Sequence, residues 1–271
     1  MQALCEHMED ETMDLTGKVA LVTGGGRGVG RATALALAEA GCDVAVVARS
    51  TDEIAQVADE IRGRGRRAYA LALDLAAPER IPAALAAIQQ ELGDVTILVN
   101  NAAVVEPLGP TIEVDPAAWA QALTVNLTSV FALTQAALPA MLRQGWGRVV
   151  AVSTGIASGS GMVNASAYSV SKAGLEMWGR NLATELAGTG VTVNVVRPGT
   201  VDTAMQAHIR TQPAERVGAP MRERFTRFYE SGALIAPELP ARLITQVIAG
   251  DTTGEVISIG DERGQALLRQ A

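Results

Sequence analysis

Tyr168 stands four residues before Lys172 in the stretch ASAYSVSKAGLEMW, Ala165 to Trp178. Residues four apart on a helix share a face, so the phenol and the ammonium would lie side by side. An isolated phenol, with a pKa of about 10, is inert as a base at neutral pH. A fixed cation beside it favours the phenolate and lowers that value. The pair is therefore a candidate for proton transfer to or from an oxygen. Any single Y-x-x-x-K can also share a face by accident, so the reading depends on what the rest of the chain brings to the same place.

A second patch of chemistry is TGGGRGVG, Thr23 to Gly30, which follows an apolar run and opens a helix. Glycines allow a tight turn there, and the backbone N–H groups of a helix N-terminus suit a pyrophosphate. The spacing is G-x-x-x-G-x-G through Gly24, Gly28 and Gly30, not the G-x-G-x-x-G of the common dinucleotide turn. The end of the next strand bears on which dinucleotide is held. An acid there would hold a ribose 2′-hydroxyl, whereas an arginine accommodates a 2′-phosphate. That strand ends Ala48-Arg49-Ser50 with no acid, and Arg27 lies inside the glycine turn. Two arginines flanking one pocket favour NADP(H), with NAD(H) as the alternative. Each arginine could equally be an ordinary solvated charge.

These residues need a scaffold that converges on one place, and the chain reads as one. Strand and helix patterns alternate: KVALV (Lys18 to Val22), DVAVVA (Asp43 to Ala48), AYALAL ending at Asp74, TILV ending at Asn100, RVVAV, VTVNVV (Val191 to Val196) and GEVISI (Gly254 to Ile259). Between them run helical stretches, one opened by the capping box Ser50-Thr51-Asp52-Glu53 and one long helix passing through Asn126 and Ala136 to about Gly145. The strands are continuous apolar runs, as expected when helices cover both faces of a parallel sheet. The expected fold is α/β: a Rossmann-type, doubly wound, seven-stranded parallel sheet in a single domain over 15–260. Residues 1–14 read as a flexible N-terminal tail and 261–271 as a C-terminal tail. The stretch 202–236 breaks the rhythm with mixed charge and Met205, Met221, Phe225, Phe228 and Tyr229. It reads as a substrate loop or lid, or as a surface helix pair. Arginines 210, 216, 222, 224 and 227 are interleaved with Glu215, Glu223 and Glu230 there, the pattern of a solvated face.

Composition bounds the function. At 271 residues one α/β domain suffices. A formal net charge of −7 argues against nucleic-acid binding. Two cysteines, Cys5 and Cys42, give no disulfide framework, and two histidines, His7 and His208, give no zinc site. No apolar stretch reads as long enough to cross a membrane, and the acidic N-terminus lacks the regions of a signal peptide. The expectation is a cytoplasmic domain without metal, membrane or nucleic-acid partner.

The chain resembles the short-chain dehydrogenase/reductase family in its single-domain form, over essentially Leu15 to Gly260. The residues that carry the resemblance are TGGGRGVG, Asp74-Leu75, NNAA (Asn100 to Ala103), VNLTSVF around Asn126, Y-S-V-S-K (Tyr168 to Lys172) and RPGTVDT (Arg197 to Thr203). The branch it looks most like is the 3-oxoacyl-carrier-protein reductase-like one, which hosts many carbonyl and alcohol substrates. The resemblance implies an NADP(H)-dependent oxidoreductase interconverting a carbonyl and a secondary alcohol by hydride transfer, and a homo-oligomer, tetramer or dimer. It implies that Tyr168 is the general acid/base, that Lys172 lowers its pKa and holds the nicotinamide ribose, and that Asn126 places a water linking Lys172 to solvent. It assigns dinucleotide contacts to Gly24, Gly26, Arg27, Gly28, Val29, Gly30, Arg49 and Ser50. Asp74 and Leu75 go to the adenine, Asn100 and Ala102 to the ribose side, and Val201 and Thr203 to the carboxamide and phosphates, with Asn101, Ala103, Pro198 and Gly199 also at the dinucleotide.

One position departs from the family. Members carry a serine seven residues after the glycine before the fifth strand, and counting from Gly147 gives Thr154, with Ser153 just before it. The stretch from there to Tyr168 is one residue longer than usual. Threonine offers the same donor and acceptor as serine, so Thr154 is assigned, with Ser153 as the alternate. The ending after Gly260 also departs from the family's glycine-rich form. The competing functions are a dinucleotide-sensing protein without turnover, whose relatives lose the Tyr/Lys pair, and an epimerase or dehydratase, whose relatives have a larger C-terminal region. The substrate itself does not follow from these residues.

Overall fold

The computed structural model describes residues 14–159 and 161–270. The expected flexible tail, with Cys5 and His7, therefore lies outside the described residues apart from Asp14. Seven strands form one parallel sheet: β1 (Val19–Thr23), β2 (Asp43–Ala48), β3 (Ala68–Ala72), β4 (Ile97–Asn100), β5 (Gly147–Val152), β6 (Val191–Arg197) and β7 (Val256–Ser258). Their order across the sheet is β3-β2-β1-β4-β5-β6-β7, so the winding reverses between β1 and β4. Ligands of doubly wound sheets bind beyond the strand ends at such a reversal.

The strands are apolar throughout because each side of the sheet has its own core. Ala20, Val22, Val44, Val46, Val99 and Val150 face one side. There they meet α1 (Gly28–Glu39), α2 (Thr51–Gly63) and α10 (Glu238–Ala249). Val19, Leu21, Val47, Leu98, Val149 and Val193 alternate to the other side. That side is covered by α3 (Ile81–Leu92), α5 (Ser129–Gln144) and α6 (Ser166–Glu185). A period of two with both faces buried erases the polar alternation a one-sided sheet would show.

Several boundaries differ from the sequence reading, each for a local reason. β3 ends at Ala72 rather than Asp74 because its partner β2 ends at Ala48, leaving only the Leu73 N–H to bond the Ala48 carbonyl at 3.0 Å. The helix expected from Pro78 starts as one 3-10 turn, Pro78–Arg80, before α3. The long helix is α4 (Pro116–Leu123) and α5 joined by a π-helical segment, Thr124–Thr128, centred on Asn126. Taken as one, Pro116–Gln144 is 29 residues and contains an 18-residue window of mean hydropathy 1.4, so it is long and apolar enough to cross a membrane, contrary to the sequence reading. In this fold Leu133, Ala137 and Met141 of that helix pack into the core on the sheet. The segment read as a C-terminal tail holds α11 (Glu262–Arg269), capped by Asp261 and docked through buried Leu267 and Leu268.

The irregular stretch 202–236 holds three helices, α7 (Ala204–Thr211), α8 (Ala214–Val217) and α9 (Ala219–Glu230). It is closed at its base, where Ile235 N–H bonds Thr200 O and Asp202 N–H bonds Ile235 O, both at 2.9 Å. Its underside packs Ile209, Val217, Met205, Met221 and Phe225 against Val105, Leu108 and Met162. Glu106 ties the same loop to these helices, with Oε1 2.8 Å from His208 Nε2 and Oε2 3.1 Å from an Arg216 nitrogen. Burial alone would raise the Glu106 pKa, but these partners and the Leu108 N–H hold it below its ordinary value.

Candidate active site

A cavity of about 1050 Å³ opens at the carboxyl ends of β1, β2, β4, β5 and β6, roofed by the helices of 202–236. At one end is the glycine turn. Gly24 has φ +63°, and a Cβ there would sit 2.9 Å from Asn101 Nδ2 and 3.0 Å from Ala102 Cα. Such a backbone with such neighbours admits only glycine. Asn101 explains the closeness: its Nδ2 donates to Thr23 O at 2.9 Å and its N–H to Thr23 Oγ1 at 3.0 Å, tying the turn to the end of β4. α1 begins at Gly28 with no side-chain cap and no acid in its first turn. Its first N–H groups and positive dipole end are thus left for an anion.

The second strand's end lies beside this turn. Arg49 is exposed, and among the described residues no ion-pair partner meets its guanidinium. Arg27 pairs with Glu53 at 3.6 Å, with 66% and 38% of the two side chains exposed. An exposed pair that long is screened and weak. The expected capping box forms by half: Ser50 Oγ accepts from Glu53 N–H at 3.5 Å, while the Glu53 carboxylate turns to Arg27 and lines the cavity. Glu53 is a member of this wall that the sequence reading assigned only to capping.

At the other end α6 brings Tyr168 and Lys172 to the cavity wall opposite Thr154. Lys172 is buried, and its Nζ donates to Val152 O at 2.7 Å. It lies 6.0 Å from the Tyr168 ring centre. Burial draws the Lys172 pKa down to about 8, and the Glu176 carboxylate acts against that fall. Burial also pushes the Tyr168 phenol up to about 12, with the Thr154 hydroxyl, as its hydrogen-bonding partner, acting in the opposite direction. This corrects the expectation that Lys172 lowers the phenol's pKa. Taking a phenolate out of water is the dominant effect on Tyr168, and the Lys172 ammonium bonds the Val152 carbonyl instead.

The two candidate hydroxyls part company. Ser153 is buried, and its Oγ donates to Glu176 Oε1 at 2.7 Å. Thr154 caps the 3-10 turn Gly155–Ser158, its Oγ1 accepting from Ile156 N–H at 3.5 Å. Its hydroxyl proton is thereby left for the cavity side.

Of the residues expected at a dinucleotide, Gly24, Gly26, Arg27, Gly28, Val29, Arg49, Ser50, Asp74, Leu75, Asn101, Ala102, Ala103, Pro198, Gly199, Val201 and Thr203 all line the cavity, as do Ser153, Thr154, Tyr168 and Lys172. Gly30 does not; a Cβ there would lie 2.2 Å from Gly24 O, so it serves the turn's own packing. Asn100 does not either, because it is buried with Nδ2 on Thr134 Oγ1 at 3.3 Å. Asn126 lies behind the wall. Its amide donates to Val104 O at 2.9 Å and Ser171 Oγ at 3.1 Å and accepts from Val104 N–H at 2.8 Å. Both amide hydrogens are used, so a water beside it would need the backbone that the π segment displaces.

The roof separates the arginines of 202–236. Arg216 meets Glu106, Arg227 meets Glu223 and Arg210 stacks on Tyr229 at 4.1 Å. Arg224 is exposed, as a solvated face requires, and is also the one charged side chain that α7, α8 and α9 contribute to the described cavity lining, beside Met205, Ile209, Met221 and Phe225.

The family model "short chain dehydrogenase" matches residues 18–214. A 3-oxoacyl-[acyl-carrier-protein] reductase of Aquifex aeolicus is 35% identical over 251 residues, 90% of this chain and 96% of that one. A cis-4-hydroxycyclohexanecarboxylate dehydrogenase of Sinomonas cyclohexanicum is 33% identical over 240 residues, 86% and 95% of the two chains. The crystal structure of a single-substitution variant of actinorhodin polyketide ketoreductase with NADPH superposes with a TM-score of 0.81 at 33% identity, covering 89% of this chain and 95% of that one.

Proposed function

The chain belongs to the short-chain dehydrogenase family, and on that premise we propose that it interconverts a carbonyl and a secondary alcohol with NADP(H), using Tyr168 as the general acid/base. The observation that carries this reading is the single cavity that has the uncapped α1 N-terminus and Arg49, without an ion-pair partner among the described residues, at one end and Thr154, Tyr168 and Lys172 at the other. When bound, the dinucleotide supplies or accepts the hydride. The glycine turn and the α1 N-terminus hold its pyrophosphate, Arg49 and Arg27 the 2′-phosphate, and Asp74, Leu75, Ala102 and Thr203 its remaining groups. The tight Gly24–Asn101 packing supports this fit, since it lets backbone approach a ligand where a side chain would block it.

The chain's own residues do the rest. Thr154 donates a hydrogen bond to the reacting oxygen. Tyr168 gives that oxygen a proton during reduction or takes one during oxidation. The phenol carries its proton at neutral pH and so can act as the acid in carbonyl reduction, although burial makes that proton harder to give up. Lys172 adds a positive charge behind it. The roof offers the apolar side chains Met205, Ile209, Met221 and Phe225, and Arg224 gives the substrate's far end one cation to meet.

We also propose a cytoplasmic homo-oligomer, a dimer or tetramer. Its support is the buried free thiol of Cys42 and the exposed Phe131 on α5 and Val170 and Met177 on α6. A monomer by light scattering at micromolar concentration would remove the oligomer. The function is tested by a carbonyl and alcohol panel followed through NADPH and NADH absorbance. Turnover of at least one carbonyl is expected; tight NADPH binding with no turnover across the panel would favour a dinucleotide-sensing protein instead.

A further inference from the structure

We infer that Glu176, one helical turn beyond Lys172, is a positioning residue that keeps Lys172 a cation and engages the Ser153 hydroxyl beside it. The inference rests on the reading of Tyr168 and Lys172 proposed above. Tyr168, Lys172 and Glu176 are spaced four apart on α6, so they form a ladder along one face. Glu176 is buried, and a buried carboxylate is costly unless paired and hydrogen-bonded. It is both. Oε1 accepts from Ser153 Oγ at 2.7 Å and Arg197 Nε at 2.8 Å, and Oε2 accepts from an Arg197 terminal nitrogen at 2.6 Å. The pair also fixes Arg197 directly before Pro198 and Gly199, which line the cavity.

One carboxylate therefore pairs directly with Arg197 and acts on Lys172 one turn away without touching it. Remove its charge and a lysine and an arginine remain in a site poor in water. A guanidinium does not give up its proton there, so the lysine is the group that yields. The groups facing Lys172 leave no substitute for Glu176. Lys172 meets the Val152 carbonyl of β5 and the Tyr168 ring of α6, Glu176 meets Ser153 of β5's end and Arg197 of β6, and the Asn126 amide of the π segment bonds Ser171. Asp202 lines the same cavity but does not bear on Lys172, and Asp261 acts on Arg197. Lys172 already titrates at about 8, with Glu176 as the one charge opposing its loss of a proton.

The sequence has two lysines, Lys18 and Lys172, which makes a direct test available. Protein labelled with 13C at the lysine ε carbon gives two titrating NMR signals, and Lys18→Arg assigns them. In Glu176→Gln the Lys172 titration should fall by about one pH unit or more, the effect of an opposite charge within ~4–6 Å. Ser153→Ala should leave it in place, since that change removes a hydrogen bond but no charge. The reductive kcat/KM of Glu176→Gln should drop at correspondingly lower pH and recover in acid, which a merely misfolded variant would not do. An unmoved Lys172 titration in folded Glu176→Gln overturns the inference. A moved titration with an unmoved rate profile supports it and counts instead against Lys172's role in turnover. If Glu176→Gln does not fold, the double change Glu176→Met with Arg197→Met replaces the pair by apolar volume, and its Lys172 titration should fall below that of Arg197→Met alone, the comparison that isolates the carboxylate.

Discussion

Ser153 Oγ lies 2.7 Å from Glu176 Oε1 and is committed to it, while its neighbour Thr154 on the same cavity wall partners Tyr168. Two adjacent hydroxyls that look equivalent in sequence thus have different partners. Thr154→Ala should lower turnover by about 10²–10³, the usual loss for one donor to a developing oxyanion. Thr154→Ser should keep most activity because the hydroxyl remains. Ser153→Ala should change kcat at neutral pH little. Steady-state kinetics of the three variants checks this, and a large loss confined to Ser153→Ala would reverse the assignment.

Tyr168→Phe should lower carbonyl reduction by about 10²–10⁴, the range expected for a lost general acid. Dinucleotide affinity should hardly change, because the phenol holds a proton rather than the cofactor. In the native enzyme the phenol stays protonated until the pH nears about 12. Alcohol oxidation, which needs that proton removed, should therefore rise with pH while reduction does not. Titration of NADPH fluorescence beside initial rates in both directions reads the whole pattern. Substantial turnover by Tyr168→Phe would discard Tyr168 as the acid.

Lys172 carries a stability penalty with a defined pH window. Its folded pKa is about 8 against 10.5 in the unfolded chain. Below 8 both states are charged and the native state bears the full burial cost. Between the two values only the unfolded state binds the proton, so this group's contribution to stability rises with pH. Lys172→Met should raise Tm at about pH 7, lose that advantage toward about pH 10, and abolish turnover. Calorimetry of wild type and variant across pH isolates the difference, because the other titrating groups cancel. A lower Tm for Lys172→Met at neutral pH would mean that its bond to Val152 outweighs its desolvation.

The elements were legible because a two-sided sheet leaves plain apolar runs, and glycine turns mark where they end. What was not legible depends on partners. β3 stops where β2 stops, which no residue within β3 announces. The π segment at Asn126 is a shift in backbone hydrogen bonding within an uninterrupted helical pattern. α11 has little apolar surface beyond Leu267 and Leu268 and becomes a helix by packing on α10. The site was legible where spacing carries it, as at Tyr168 and Lys172. Glu176 completes the same spacing and could have been found, but its importance depends on Arg197, which arrives from another strand. The sign of the Tyr168 shift was misread because sequence shows a cation four residues away and not the burial of both groups.

The cofactor preference is tested through three charges on one wall. Arg49 has no ion-pair partner among the described residues, Arg27 has only the 3.6 Å contact with Glu53, and Glu53 itself lines the cavity. A charge-assisted contact to phosphate contributes about 1.5–3 kcal/mol, and about 1.4 kcal/mol is tenfold. The wild type should favour NADPH over NADH, and neutralising Arg27 and Arg49 together, as R27Q/R49Q, should cut the ratio of kcat/KM values by more than tenfold. Glu53→Gln should move the ratio the other way, since it removes a charge that repels the 2′-phosphate and competes for Arg27. Because Glu53 N–H still meets Ser50 Oγ in that variant, the helix start is preserved and only charge changes. Initial rates with both cofactors at low ionic strength give the clearest reading, as salt screens these exposed groups. If wild type prefers NADH, Arg49 does not meet a phosphate. If Glu53→Gln and R27Q/R49Q shift the ratio in the same direction, charge on this wall is not what selects the cofactor.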